Sequence, residues 1–299
     1  MKVAIIGGTG LLGSNLLKYY SKKNFEVRAF SRLSSQNQSL YDISKLDFNN
    51  LEAQLSVVFD IWCPDIIINA VALVNLQECE DNVKSAYIVN TSIAMQLSSI
   101  SKKYKSYFIH ISTDHFFNDK KLKHTENDEI VLVNNYARTK FEAENEVVKI
   151  YSKALVVRTN IVGFRRNNID SFFEWLLGSL KSQKDTNLYN NFYSSPLSVK
   201  QLGNFLINCY DKNINGLFNI ASSEVIDKYT FGIETAKIFG FNKEKIYSIE
   251  LENCSNETHR ALSLGLDVSK IENVLGVKMP SIIETLEGLY KEYREDNEQ

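Results

Sequence analysis

The segment Met1-Lys-Val-Ala-Ile-Ile-Gly-Gly-Thr-Gly-Leu-Leu-Gly13 constrains this chain more than any other. Val3–Ile6 is a short apolar run of the kind that forms a buried parallel strand. Leu11 opens an apolar-periodic stretch that predicts a helix over residues 11–21. Between them stand Gly7, Gly10 and Gly13, read either as Gly7-x-x-Gly10-x-x-Gly13 or as Gly8-x-Gly10-x-x-Gly13. A glycine turn from strand to helix lets backbone N–H groups and the helix N-terminus face a pyrophosphate. Side chains at Gly7 or Gly10 are expected to block that approach, and one at Gly13 to push the helix off the strand. The same glycines would also serve a tight turn with no ligand. Their position, after a strand and before a helix, favours the nucleotide.

Further strand-like runs alternate with helix-like runs. Glu26–Ser31 precedes a loop and a helix near Asn49–Phe59. Asp65–Asn69 precedes a helical stretch over Val83–Lys102, and Tyr107–Ser112 leads through a polar loop to a helix over Tyr136–Tyr151, with Ala154–Arg158 after it. Strands spaced by helical crossovers predict a parallel sheet covered on both faces. The fold class expected is therefore α/β, a Rossmann-type doubly wound parallel sheet with a smaller mixed α/β lobe toward the C-terminus. The nucleotide-binding domain is expected over 1–163, with part of 195–222 returning to it, and the substrate lobe mainly over 164–299. Within that lobe Phe172, Phe173, Trp175, Leu176, Leu177 and Leu180 have helical spacing, which suits core or dimer packing better than sugar stacking. Asn187–Ser198 reads as a loop. Leu217–Ile220, Lys228–Phe239, Tyr247–Leu251 and Ile282–Tyr290 read as further elements, and Glu295–Gln299 as a frayed tail.

Composition narrows the class. With 34 basic and 36 acidic residues the net charge is −2, so no basic excess points to nucleic acid. The longest apolar stretch, Ile66–Val74, is interrupted by Asn69 and is too short to cross a membrane. No signal-peptide pattern precedes the first strand, so a soluble, cytoplasmic protein is expected. Cys63, Cys79, Cys209 and Cys254 form no C-x-x-C pair and are expected as reduced core thiols. His110, His115, His124 and His259 lack a ligand spacing such as H-E-x-x-H, so no catalytic metal is expected.

Tyr136-Ala-Arg-Thr-Lys140 is the second informative feature. A Tyr and a Lys at i and i+4 share one helix face. An ammonium beside a phenol favours the phenolate and fits the Tyr for general acid and base work. Such pairs also occur on solvated helix faces. Here the pair follows a strand ending Ile111-Ser112-Thr113, the fourth strand of a sheet whose first strand carries the glycine turn. Ligands of open parallel sheets bind at the carboxyl ends of the strands, where Thr113 would project.

At this point the chain resembles the extended short-chain dehydrogenases/reductases. Within them it is most similar to the dTDP-4-dehydrorhamnose reductase branch of nucleotide-sugar 4-keto reductases. The likeness rests on Gly7–Gly13, on Pro64-Asp-Ile-Ile-Ile-Asn-Ala70 followed by Cys79-Glu80, and on Ser112-Thr-Asp-His-Phe-Phe117. Glu126-x-Asp128, Ser195-Pro196, Gly216-Leu-Phe-Asn-Ile220, Lys228-Tyr-Thr-Phe-Gly232, Leu266-Asp-Val-Ser-Lys270 and Leu275-Gly276 extend it over nearly the whole chain.

The resemblance implies a division of labour. Tyr136 would give a proton to the substrate C4 oxygen as hydride arrives from a nicotinamide. Lys140 would bind the nicotinamide ribose and lower the Tyr136 pKa, and Thr113 would hydrogen-bond the keto oxygen. Gly7, Thr9, Gly10, Leu11, Leu12 and Gly13 would cradle the cofactor. Asp47 and Phe48 would contact adenine, and Ala70, Val71 and Ala72 would line the ribose side. Where an acidic residue would repel a 2′-phosphate, the second strand ends Phe30-Ser31-Arg32. Ser31 and Arg32 therefore favour NADPH, with NADH as the alternative. The substrate, a nucleotide sugar, would meet Thr113, Asp114, His115, Asn160 and Arg260, while Arg165-Arg166 suits either a diphosphate or solvent. Relatives are often dimers, so a homodimer is compatible with the resemblance.

Two departures fall at the sugar. His115 replaces the usual Tyr, and Asn160-Ile161-Val162-Gly163 stands where an aromatic residue often follows Arg158-Thr159. They suggest a different keto sugar or nucleotide. The expected activity is NADPH-dependent reduction of a nucleotide-linked 4-keto-6-deoxy sugar for surface polysaccharide. The alternatives are an epimerase or dehydratase of the same superfamily and a regulatory subunit like the methionine adenosyltransferase beta subunit. A dehydratase would want an acidic pair beside Thr113, and only Asp114 follows before His115.

Overall fold

The computed structural model describes residues 1–32, 43–119, 121–165, 169–252 and 258–297. The chain divides into two compact units. The first comprises Met1–Thr113, Asn134–Arg158 and Gly203–Phe218, and the second Asp114–Val133, Thr159–Leu202 and Asn219–Gln299.

The first unit is built on β1 (Lys2–Ile6), β2 (Glu26–Ser31), β3 (Ile43–Lys45), β4 (Ile66–Asn69), β5 (Tyr107–Ile111) and β6 (Leu155–Arg158). With the strand Gly216–Asn219 outside β6 they make a seven-stranded sheet whose order continues β6-β5-β4-β1-β2-β3. The pairings among β1 to β6 are parallel. The order reverses between β1 and β4, which is the switch point where doubly wound sheets bind nucleotides. Register brings Ile6 level with Phe30 on one side and Asn69 on the other, so the carboxyl ends of β1, β2 and β4 lie at one edge.

Apolar burial explains why these segments form. Val3–Ile6 and Ile66–Ile68 are fully buried, as expected of strands covered on both faces. The helix α1 (Leu11–Ser21) turns Leu12, Gly13, Leu16, Leu17 and Tyr20 inward. On the other face, α2 (Leu51–Trp62) and the helix Ile93–Tyr104 pack Leu55, Phe59, Leu97 and Ile100 against Ala4, Ile67 and Phe108.

The stretch read as one helix over Val83–Lys102 is several pieces. Asn82 accepts the Ser85 N–H at 3.0 Å and caps a new start after the helix Leu76–Asp81. A π-turn at Ile88–Ser92 then shifts the phase. It buries Asn90 and Thr91, whose polar ends bind Leu73 and Thr139.

In the second unit, Phe173, Leu176, Leu180, Phe231, Phe239, Ile246, Ile282, Leu286 and Leu289 form the core. The helix Phe172–Lys181 starts in a capping box in which Ser171 and Glu174 bond reciprocally. Phe173 is core, Phe172 packs against it, and Trp175 is exposed. The expected loop over Asn187–Ser198 is corrected: it contains strands at Thr186–Tyr189, Tyr193–Ser194 and Pro196–Ser198. Each is four residues or fewer, and Leu188 is buried between exposed Asn187 and half-buried Tyr189, an alternation hidden by the polar composition. Pro196 opens its strand, where no ladder N–H is needed.

Cys79 and Cys209 are buried free thiols raised by burial to about 11 and about 12. Cys63 is exposed instead, in a left-handed C-cap of α2, and Cys254 lies outside the described residues. Among the described residues no helix is long and apolar enough to cross a membrane.

Candidate functional site

The glycine turn leaves β1 with Gly7 at φ +99°, a conformation open to glycine. The N–H groups of Gly7 and Gly8 both donate to the Phe30 carbonyl, at 2.8 and 3.0 Å, which pins the turn to β2. A Cβ on Gly7 would stand 2.9 Å from the Ala70 backbone, and one on Gly13 would strike the Gly7 carbonyl. At Gly7 the end of β4 by itself already leaves no room for a side chain. Gly10 is different. Its backbone angles are ordinary (φ −76°, ψ 168°), and an added Cβ would meet nothing nearer than the Gly7 oxygen at 3.5 Å.

Gly10 is also the N-cap of α1 and offers no side-chain cap. The first helical bond is Ser14 N–H to Gly10 O at 3.0 Å. The N–H groups of Leu11, Leu12 and Gly13 precede it and have no backbone acceptor among the described residues. An uncapped helix start next to an open glycine fits an anionic pyrophosphate.

The flanks of this turn follow from the same register. Thr9 and Ser31 share a hydrogen bond of 2.7 Å, and Arg32 beyond them is exposed. Leu46 N–H binds the Ser31 carbonyl at 2.8 Å, bringing the segment with Asp47 and Phe48 to the end of β2. Asp47 is committed in part: its Oδ1 accepts from Asn49 N–H at 3.0 Å and from Asn49 Nδ2 at 3.1 Å. Phe48 is half-buried against the core. Ala70 N–H donates to Ile6 O at 2.9 Å, Val71 is buried and Ala72 is exposed. The buried Asn69 shapes this loop by accepting Val71 N–H at 3.1 Å, and Asn90 holds it by accepting Leu73 N–H at 2.8 Å. Asn90 Nδ2 also donates to Thr139 Oγ1 at 3.0 Å, which ties the loop to the helix carrying Tyr136.

That helix, Asn135–Ile150, is capped by Asn134, whose side chain accepts Ala137 N–H at 2.8 Å. The Glu80 carboxylate binds Asn135 N–H and Nδ2 at 2.6 and 2.5 Å, a favourable charge at a helix N-terminus. Tyr136 in the first turn packs with Leu76, Cys79 and Ala86 and is 8% exposed.

One turn on, Lys140 is buried and donates to the Ile111 carbonyl at 2.7 Å. Its ammonium is thereby fixed at the carboxyl end of β5, two residues before the buried Thr113. Burial lowers Lys140 to about 8, with the Glu144 carboxylate acting in the opposite direction. Asn69 Nδ2 donates to His110 Nδ1 at 3.0 Å, and burial, with the Lys140 charge, holds the imidazole well below the usual histidine range. It is therefore neutral.

Beneath this edge lies a buried network that the sequence did not disclose. Arg158 binds Glu144 through Nη2–Oε2 at 2.7 Å and through Nε at 3.0 and 3.2 Å. Ser112 Oγ donates to the same carboxylate at 2.5 Å. The two charged side chains are 2% and 4% exposed, so the pair is deeply desolvated, and it reaches the residue before Thr113 through Ser112.

The second unit gathers the other expected residues. Asp114 is 1% exposed and accepts Asn160 Nδ2 at 2.7 Å. His115 Nε2 lies 4.0 Å from the other Asp114 oxygen. Burial, then the charges of Arg260 and Lys228, lower His115 to about 4, so its imidazole is neutral near pH 7. Arg260 is thus close enough to act on His115, although its side chain is exposed. Arg165 donates its backbone N–H to Glu174 at 2.9 Å, and Arg166 lies outside the described residues. Lys228 was not foreseen as a site residue. Several motif landmarks prove to be knots of this unit: Asn219 Nδ2 donates to the carbonyls of His124 and Asp267 at 2.9 and 3.0 Å, and its N–H donates to Glu126.

A Rossmann sheet, an uncapped glycine turn at its switch point and a Tyr/Lys pair at the end of β5 define a short-chain dehydrogenase/reductase. Comparison with known proteins narrows the class. The family model described as "RmlD substrate binding domain" matches residues 1–295, and the chain belongs to this family of NAD(P)-dependent sugar-nucleotide oxidoreductases. Similar relatives include the probable low-salt glycan biosynthesis reductase Agl14 of Haloferax volcanii, 24% identical over 98% of this chain and 99% of that protein. The dTDP-4-dehydrorhamnose reductase of Aggregatibacter actinomycetemcomitans is 25% identical over 93% of this chain and 94% of its own length. Among solved structures, dTDP-4-dehydrorhamnose reductase from Bacillus anthracis in complex with NADP superposes with a TM-score of 0.80 at 20% identity, covering 97% of this chain and 99% of that one.

Proposed function

We propose that this chain reduces a nucleotide-linked 4-keto-6-deoxy sugar with NADPH, in the synthesis of a glycan. The first unit would hold the cofactor and the second would recognise the substrate. The observation that carries this reading is the placement of Lys140: a buried ammonium anchored to the Ile111 carbonyl, one turn from Tyr136, at the strand end that leads to Thr113.

The cofactor, when bound, supplies the hydride. Leu11, Leu12 and Gly13 would offer their N–H groups to its pyrophosphate beside Gly10. Arg32 and Ser31 would face its adenosine ribose. No acidic residue ends β2 there to repel a 2′-phosphate, which supports NADPH, and the NADP complex of the similar reductase agrees.

The residues of this chain handle the proton. Tyr136 gives its phenolic proton to the oxygen that gains charge during reduction, and Thr113 donates a hydrogen bond to the same oxygen. Lys140 stabilises the phenolate left on Tyr136, and its anchor at Ile111 keeps it in place without reorganisation. Asn90 and Thr139 fix the helix against the loop after β4, so Tyr136 cannot drift from that edge. Asp114, Asn160 and neutral His115 would orient sugar hydroxyl groups.

Tyr136→Phe tests the assignment. It should remove at least about 100-fold of the turnover, the low end for a positioned acid, while NADPH binding changes little. Retention of most activity would refute it.

A further inference from the structure

Lys228 stands where a lysine is costly. It opens the helix Lys228–Phe239 directly after its N-cap Asp227, at the end whose partial positive charge repels a cation. Its side chain is half-buried, with Nζ 4.4 Å from the centroid of the Phe172 ring and 5.6 Å from that of Phe192. Aromatic faces attract an ammonium but accept none of its hydrogen bonds in the way an oxygen does.

Among the described residues Lys228 Nζ makes no hydrogen bond and no ion pair within 4.0 Å. The nearby carboxylate, Asp114, acts on it only at longer range and already receives Asn160 Nδ2 at 2.7 Å. Arg260 and Lys228 both act on the ring of His115. A half-buried ammonium held over aromatic faces, with no oxygen acceptor among the described residues, is placed to take an anionic oxygen.

We propose that Lys228 is a substrate anchor: its ammonium takes an anionic oxygen of the bound nucleotide sugar, from either the diphosphate or a carboxylate on the sugar. The inference rests on the nucleotide-sugar reading above and adds a specificity-determining residue to it. Lys228 lies in the same unit as Asp114, His115, Asn160 and Arg260, and Asp114 directly follows Thr113, so the anchor acts on the substrate and not on the cofactor.

Lys228→Met removes the charge and keeps the stem. Loss of a charge-assisted hydrogen bond should weaken binding by about 10- to 100-fold. KM for the keto-sugar nucleotide should rise by that factor, with kcat and NADPH affinity nearly unchanged and the melting temperature unchanged or raised. Lys228→Arg should recover part of the loss.

Titration calorimetry with dTDP, UDP, UDP-glucose and UDP-glucuronate reads the anchor without turnover. Weaker binding of dTDP and UDP by the Met variant would assign the diphosphate. A loss confined to UDP-glucuronate would assign a sugar carboxylate. Equal affinities of wild type and variant for all these ligands would overturn the proposal, as would a fall in kcat at unchanged KM. Wild-type protein that binds none of them would overturn both the anchor and the nucleotide-sugar reading. Wild-type protein that binds them with loss in the Met variant, yet oxidises no NADPH, would uphold the anchor and refute only the reductase.

Discussion

Replacing Glu144 alone should cost this protein much of its stability. The carboxylate is 4% exposed and meets Arg158, 2% exposed, through Nη2 at 2.7 Å and Nε at 3.0 Å. Glu144→Leu would leave a guanidinium buried without its counter-charge, at about 3–5 kcal/mol when one partner of a buried pair is removed. Ser112 Oγ, now 2.5 Å from the carboxylate, would lose its acceptor as well, adding about 1 kcal/mol. Near the upper sizes for which the scale is known, each kcal/mol moves the melting temperature by about 2–4 °C, so a fall of roughly 10 °C is expected. The double variant Glu144→Leu/Arg158→Met removes both charges and should recover most of the loss, because well-packed apolar replacements of buried pairs are often neutral or stabilising. Urea unfolding followed by circular dichroism and by tryptophan fluorescence measures both variants, with coincident transitions as the check on a single unfolding step. A Glu144→Leu protein within about 1 kcal/mol of wild type would refute the reasoning, because a desolvated guanidinium cannot be left unpaired so cheaply.

Gly10→Ser separates folding from cofactor binding. Serine is a better N-cap than glycine by a few tenths of a kcal/mol, so roughly unchanged or slightly raised stability is expected. The new side chain enters the space beside the uncapped helix start, so NADPH affinity by fluorescence titration should fall at least about tenfold; unchanged affinity would remove the turn from the cofactor site. Lys140 predicts a pH dependence. Its folded value, about 8, is below the ordinary 10.5, so at pH 7 both folded and unfolded chains carry the proton and the burial penalty is complete. As pH rises from about 8 toward 10.5 the folded chain releases its proton first, and wild-type stability should climb relative to Lys140→Met, by up to about 3 kcal/mol for a shift of this size. The kcat of reduction should fall over the same limb as the ammonium is lost. A stability gap between the two proteins that stays flat above pH 8 would show that the amine is not desolvated as described.

The backbone of the first unit was largely legible because its signals are local. Val3–Ile6 and Tyr107–Ile111 are mainly apolar runs, Glu26–Ser31 opens on polar–apolar alternation, and the spacing of Leu12, Leu16, Leu17 and Tyr20 marks one helix face. The breaks in the Val83–Lys102 stretch were not legible, because a π-turn has no periodic signature and Asn90 turns inward for partners at Leu73 and Thr139. The strands of Thr186–Ser198 were missed because they are too short to show a period. The different surroundings of Gly7 and Gly10 were not legible for one reason: sequence shows that a glycine is present, and only the fold shows whether protein or open space stands opposite its hydrogen. Glu144 and Arg158 look like a surface helix carboxylate and a strand-end cation until burial makes them one unit. Lys228 begins a helix in the sequence like many lysines do. Its neighbours Phe172, Phe192 and Asp114 are distant in the chain and meet it only in the folded second unit.

The most direct test follows NADPH absorbance with purified protein and a panel of nucleotide-linked 4-keto-6-deoxy sugars, with NADH in parallel and Tyr136→Phe as the control. dTDP-4-keto-6-deoxyglucose is offered with and without a preceding 3,5-epimerase. Oxidation of NADPH that requires one keto sugar, exceeds that of NADH and disappears in Tyr136→Phe is the predicted result. Cofactor binding without oxidation for every sugar would contradict the reductase and turn the reading toward an epimerase or a regulatory binding subunit.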